Sequence, residues 1–93
     1  MNEPIQHADN IVIYPNPFKE EARFSFSLNK NEQVGLSVMD LLGKETVIFP
    51  SQIFATGEHH LTLKASDLNL SKGIYFLRFT QGDKVTVKKI ILN

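Results

Sequence analysis

"GIYFLRFTQGDKVTVKKIIL", residues Gly73 to Leu92, decides the fold class, because it reads as a strand, a tight turn and a returning strand. In "GIYFLRF" Tyr75, Leu77 and Phe79 share one face while Ile74 and Phe76 begin the other, since successive strand side chains point to opposite sides. Apolar residues on both faces imply a central strand, or one whose outer face is partly covered. "QGD" supplies the turn, with Gly82 free to take a positive φ, and "KVTVKKIIL" is the hairpin partner. The phase of that partner is awkward. Val85 and Val87 read as inward, and strict alternation would then bury Lys89. A lone buried ammonium is costly, so a β-bulge near Lys88 and Lys89 is expected to return Ile90 and Leu92 to the inner face.

Outward from this hairpin the same period-2 alternation recurs in short runs, broken by turn residues every eight to twelve positions or so, which is the pattern of an all-β sandwich. In "EARFSFSL" Ala22, Phe24, Phe26 and Leu28 face inward, against Arg23, Ser25 and Ser27 outward. "LNKNEQ", Leu28 to Gln33, reads as a polar loop, and "VGLSV" places Val34, Leu36 and Val38 inward, so these two runs pair or face each other. "TGEHHLTLK" repeats the pattern with Leu61 and Leu63 inward, and "ASDLNLSKG" connects it to the hairpin. No segment offers a convincing helix.

One local feature sharpens the choice among sandwiches. About seven strands fit two packed antiparallel sheets of the immunoglobulin type, in which a tyrosine near the start of the sixth strand bonds back to upstream backbone. Tyr75, two residues before Leu77, has that spacing, and a plain core tyrosine would look the same. In "MDLLGKETVIF" Asp40 and Gly43 end a four-residue turn, with Leu41 and Leu42 inside it, where polar residues are usual. One leucine is expected to tuck under the sandwich edge; the alternative is that the turn presents apolar surface to a partner.

The 93 residues fit one domain, and 42% apolar content with seven Phe supplies a two-layer core without metal or disulfide. Residues 1–10 read as a flexible lead-in or linker and residues 11–93 as the domain. Ten basic residues balance ten acidic ones, so no field draws nucleic acid or an anionic membrane. There is no cysteine, which excludes thiol nucleophiles and thiolate zinc sites. "MNEPIQHADN" has no basic segment followed by an apolar run, so if the natural protein is exported, its signal peptide is expected upstream.

No constellation supports catalysis or a cofactor. His59 and His60 are adjacent in a strand, so their rings diverge and cannot share a metal; both read as surface residues. There is no "GxSxG" elbow, no calcium loop, and no phosphate-cradling glycine motif, the five glycines reading as single turn residues. Lys88 and Lys89 read as an edge-strand solubility device. The residues alone therefore give a neutral, non-catalytic β-sandwich with no cofactor, an interaction or structural module.

"IVIYPNPF", Ile11 to Phe18, opens the domain. Pro15 and Pro17 remove two backbone donors and push Asn16 toward extended geometry, so the segment can pair briefly at a sheet edge and must then end or cross to the other sheet. Tyr14, Pro15, Asn16 and Pro17 are read as a domain-boundary motif.

The order of the motifs is more specific than any one of them. "YPNPF" at Tyr14–Phe18, the run Phe26 to Leu28, "VMDLLGKE" at Val38–Glu45, "TGEHHLTL" at Thr56–Leu63, "LNLSKGIYFLRF" at Leu68–Phe79 and "KVTVKKIIL" at Lys84–Leu92 together resemble the C-terminal sorting domain of the Por, or type IX, secretion system, of type A. The resemblance implies a folded secretion signal that directs an attached N-terminal cargo domain of a Gram-negative bacterium across the outer membrane. Its implied partners are the type IX translocon with outer-membrane shuttle components, and a sortase-like cysteine protease that removes the domain at the cell surface. The protein is then secreted or displayed on the surface. The implied signal residues are Asp40, Gly43 and Lys44 of the "DxxG(K/R)" turn, Gly73 and Tyr75 of "GxY", and Lys88, Lys89, Ile90, Ile91 and Leu92. Ser71 and Lys72 depart mildly from the family's "LPxGxY", which often has proline here. An exposed terminal edge strand could be read by strand addition. The alternative function is an immunoglobulin-like or fibronectin-like accessory or adhesive module of a secreted multidomain protein. No residue pattern favours a dimer or a monomer.

Overall fold

Each alternating run becomes a strand, and the apolar faces of two sheets close on each other. The computed structural model describes residues 10–93. Its strands are β1 (Ile11–Tyr14), β2 (Glu21–Leu28), β3 (Glu32–Met39), β4 (Glu45–Phe54), β5 (Gly57–Lys64), β6 (Gly73–Gln81) and β7 (Lys84–Leu92). One sheet has the order β1-β2-β5 and the other β4-β3-β6-β7, with every neighbouring pair antiparallel. This is an immunoglobulin-like sandwich in which the fourth strand lies on the sheet of strands three, six and seven. The first part of the expected lead-in, residues 1–9, lies outside the described residues.

The core sits between the sheets and is built from the residues that alternation points inward. Ala22, Phe24, Phe26 and Leu28 of β2, Val34, Leu36 and Val38 of β3, and Tyr75, Leu77 and Phe79 of β6 are all buried. β2 and β3 therefore face each other from opposite sheets. Phe79 links the layers, its ring centroid 5.8 Å from Phe24 and 5.1 Å from Phe26, in tilted geometry that suits aromatic quadrupoles. β6 is central, between β3 and β7, as its two-faced apolar pattern requires.

The hairpin β6–β7 corrects the expected phase. Its ladder is regular from Gly73↔Leu92 to Gln81↔Lys84, with no bulge at Lys88 or Lys89. Thr86, Lys88, Ile90 and Leu92 take the inward phase, while Val85 and Val87 face out, 50% and 53% exposed. Anchoring the phase on Ile90 and Leu92, which bury fully, outweighs hiding two valines near an open strand end; it keeps Lys89 in water and turns Lys88 inward, where it is only half-buried. The bulges occur instead between β3 and β4, around Leu36. There the β4 backbone crosses Gly35, where a Cβ would lie 3.2 Å from Ser51 N. Gly35 is therefore a mid-strand glycine of close approach, not a turn residue.

Three smaller corrections follow from local geometry. The polar loop after β2 is shorter than expected, since β3 already starts at Glu32. Ala65–Leu68 forms a single helical turn, closed by Asn69 in the left-handed region, too short for any periodicity to announce it. His59 is not a plain surface residue: its ring stacks on Phe26 at 5.0 Å and it bonds Ala55 O, while His60 points the other way beside Glu58. No helix of the described residues is long and apolar enough to cross a membrane.

Candidate recognition site

Antiparallel register sorts the motif residues to one end of the sandwich. Gly73 begins β6 opposite Leu92 at the end of β7, and Met39 at the end of β3 lies opposite Phe76. The turn after β3 and the connection before β6 therefore meet at the same pole. Asp40, Lys44, Ser71 and Tyr75 line one cleft there, of about 320 Å³, and Asp40, Leu41, Leu42, Lys72, Gly73 and Ile74 line a shallower depression beside it. The sequence-predicted residues Asp40, Gly43, Lys44, Gly73, Tyr75 and Leu92 are thus neighbours in space, though they span over fifty positions.

Each is held by a specific local device. Asp40 Oδ1 accepts hydrogen bonds from the backbone N–H groups of Leu42 and Lys44, both at 2.9 Å, and Gly43 N–H donates to Asp40 O at 3.1 Å. Such an aspartate turn fixes the loop by its own side chain, and Gly43 at φ 90° supplies the left-handed step. Tyr75, buried on β6, donates its hydroxyl proton to Ser71 O at 2.6 Å, four residues upstream. That is the tyrosine-corner bond, and it ties the chain entering β6 to the core.

The turn does not tuck either leucine away. Leu41 is 66% and Leu42 94% exposed, because the Asp40 bonds close the loop beyond the end of β3, out of reach of the core. These exposed leucines lie beside the outer face of the four-stranded sheet, which carries Val47, Ile74, Phe76, Val85, Val87 and Ile91 among the charged side chains Glu45, Arg78 and Lys89. The outer face of the other sheet carries Glu21, Arg23, Ser25, His60, Thr62 and Lys64, with only Val12 and Tyr14 apolar. The four-stranded sheet thus turns more aliphatic side chains outward than the other sheet, although an antiparallel sheet commonly turns a polar face to water.

The terminal strand is an edge, but its last residues are covered. After β1 the chain passes Pro15 and Pro17, both preceded by cis bonds, and crosses to the second sheet. Asn16 Nδ2 donates to Lys89 O at 3.0 Å and its Oδ1 accepts from Ile91 N–H at 3.1 Å. Phe18 N–H then donates to Ile91 O, and Asn93 N–H to Phe18 O, in a short parallel bridge. An unpaired edge from Lys89 to Asn93, as strand addition would need, is therefore not what the fold offers. By the alternation of an antiparallel ladder the open backbone groups of β7 lie at Val85 and Val87.

Sequence reasoning gave Tyr14–Pro17 only a boundary role and attached none to Phe18, which is 2% exposed and packs in the core. The signal was the aromatic residue directly after the second proline, but its partner lies more than seventy positions away. At the opposite pole Asn10 bonds Ser27 O and Gln81 Oε1, so the chain enters the domain beside the β6–β7 turn. The length of β6, about 27 Å for eight steps of a strand, separates that entry from Gly73.

The Tyr75 hydroxyl and Asp40 carboxylate are engaged with backbone, and among the described residues no three His, Cys, Asp or Glu side chains come close enough to hold a metal ion. No match was found among curated proteins. The profile of the family described as a secretion system C-terminal sorting domain does match, over residues 12–93, nearly the whole sandwich. With the motif order, the all-β sandwich and this match in agreement, the chain belongs to the type IX secretion C-terminal sorting domain family.

Proposed function

We propose that this domain directs an attached cargo protein through the type IX translocon across the outer membrane, and that a sortase-like cysteine protease then separates the two at the cell surface. Membership makes the domain a secretion sorting signal carried by an exported protein. The finer reading assigns the signal to Asp40, Gly43, Lys44, Gly73, Tyr75 and the end of β7, Lys88 to Leu92, with residues 1–10 as linker and 11–93 as the sorting unit.

The observation that carries this reading is the placement of the two poles. The chain enters at Asn10, beside Gln81, and the motif residues gather about one strand length away. A cargo joined at the entry pole leaves the motif pole accessible to a large translocon. The test is fusion of residues 1–93 to a periplasmic reporter in a bacterium that carries the machinery. Appearance of the reporter at the surface or in the medium is the expected result, and retention in the periplasm would count against the reading.

A further inference from the structure

We propose that Leu41, Leu42 and Ile74, with Lys72 and Lys89 beside them, form the surface by which the domain docks into a protein groove of the secretion machinery, apolar along its floor and carboxylate-bearing at its rim. This rests on the sorting function proposed above and names the partner chemistry of the motif pole.

Three observations carry it. Leu41 and Leu42 are exposed on a turn that the Asp40 side chain and Gly43 already hold in place, so little conformational entropy is lost when they are buried by a partner. Ile74 and Lys72 line the same shallow depression as the two leucines, and Ile74 pairs across the sheet with Ile91. The apolar contact is therefore one continuous patch. It also lies beside the outer face with the more aliphatic side chains, while the other sheet is polar outside apart from Val12 and Tyr14.

Charge then selects the occupant. The carboxylates of the patch are internally engaged, Asp40 with two backbone N–H groups and Glu45 with the Ser37 hydroxyl. Lys72 and Lys89 have no carboxylate within 4 Å among the described residues. A partner rim bearing carboxylates complements them and steers the encounter. An anionic lipid surface is disfavoured, because a chain with no net charge and two lysines at the patch falls short of the cluster of roughly four to eight basic residues that such a surface recruits.

The test uses the reporter fusion with Leu41→Ser/Leu42→Ser, and with Val12→Ser on the polar sheet as control. The leucine variant is expected to lower export about tenfold or more, as loss of anchor residues does, with the melting temperature unchanged and Val12→Ser exported normally. Should the double variant prove less stable, Leu42→Ser alone gives the same readout at a position 94% exposed. Lys72→Glu/Lys89→Glu is expected to block export and Lys72→Arg/Lys89→Arg to preserve it. If the wild-type fusion is not exported, the sorting reading itself falls. If it is exported and the leucine variant matches it, the docking surface is overturned alone; normal export of the charge reversal overturns the acidic rim. Leucine-dependent binding of the purified domain to phosphatidylglycerol vesicles would reassign the patch to lipid and likewise overturn the proposal.

Discussion

Asn16 grips the last strand at Ile91. Its side-chain amide spans the β7 edge as a neighbouring strand's backbone would, accepting from Ile91 N–H at 3.1 Å and donating to Lys89 O at 3.0 Å. The segment between two prolines, which have no N–H of their own, thus supplies both a donor and an acceptor to an open edge. The opening and the close of the domain become one structural unit, and a sheet edge that would invite pairing with another chain is blunted.

Replacing Asn16 with Ala removes both bonds while leaving the strand in place. The groups exposed at Lys89 and Ile91 can turn to water, so the expected loss is about 1–2 kcal/mol, at the modest end for two hydrogen bonds. In a domain of this size each kcal/mol lowers the melting temperature by about 4–8 °C. Amide exchange at Ile91 should accelerate more than at Leu77, which lies on the central strand. Equal protection of Ile91 in the variant and the native domain would mean that the edge is held by Phe18 alone.

Phe18→Ala should be far more damaging. The ring is 2% exposed and its backbone carries the parallel bridge to β7. Truncating a buried Phe costs about 3–5 kcal/mol, a large part of the total stability of a small domain. A urea titration should show the midpoint fall steeply, with a ratio of effects over Asn16→Ala of about three. A loss no greater than that of Asn16→Ala would place the ring outside the cooperative core.

Much of this architecture was legible in the sequence, and the errors share one cause. The inward sets of β2, β3 and β6 follow from period-2 alternation because each buries three large side chains, and that term dominates. β7 has aliphatics on both phases, Val85 and Val87 against Ile90 and Leu92, so local alternation supplied two answers. The choice is made by Tyr75 and Gly73 across the ladder, which local reading of β7 does not include. Leu41 and Leu42 misled for a similar reason: hydrophobicity suggested burial, while the short Asp40 turn fixes geometry first. The motif residues were found through resemblance, but their gathering at one pole depends on pairing between distant strands. The edge grip by Asn16 is longer in range still.

Tyr75→Phe isolates the corner bond. The phenylalanine fills the same buried volume, so the difference is the 2.6 Å hydrogen bond to Ser71 O. The expected cost is about 1 kcal/mol, read as a lower melting temperature with the native fold kept. If Tyr75 serves only to hold the chain entering β6, export of a fused reporter should be unaffected at temperatures well below the transition. A strong export defect in a folded Tyr75→Phe domain would instead make the hydroxyl part of the recognised surface.

Gly35→Ala tests the close approach of β4 over β3. The new Cβ would lie 3.0 Å from Thr80 Oγ1, 3.2 Å from Ser51 N and 3.3 Å from Ser51 Cα. Thr80 can rotate aside, but the Ser51 backbone must move, and the bulged register around Leu36 must move with it. The expected destabilisation is about 1–3 kcal/mol, as for overpacking elsewhere. An unchanged melting temperature would show that the edge strand shifts freely there.

Deleting Lys88 to Asn93 is the obvious test of a terminal signal, and the fold explains why it is ambiguous alone. The deletion takes Ile90 and Leu92 from the core, and with them the partners of Tyr75 and Gly73 and the bridge to Phe18. Export should stop while the fused reporter remains in the periplasm, but an unfolded domain would give that result as readily as a lost contact. Lys89→Ser separates the two, since this side chain faces water and its backbone bond to Asn16 is unaffected. Its melting temperature should match the native value within about 2–4 °C, as expected for a surface change. Reduced export of this folded variant, set beside the total block in the deletion, would assign the terminal strand a recognition role beyond holding the sandwich together. Native export would assign it to the fold.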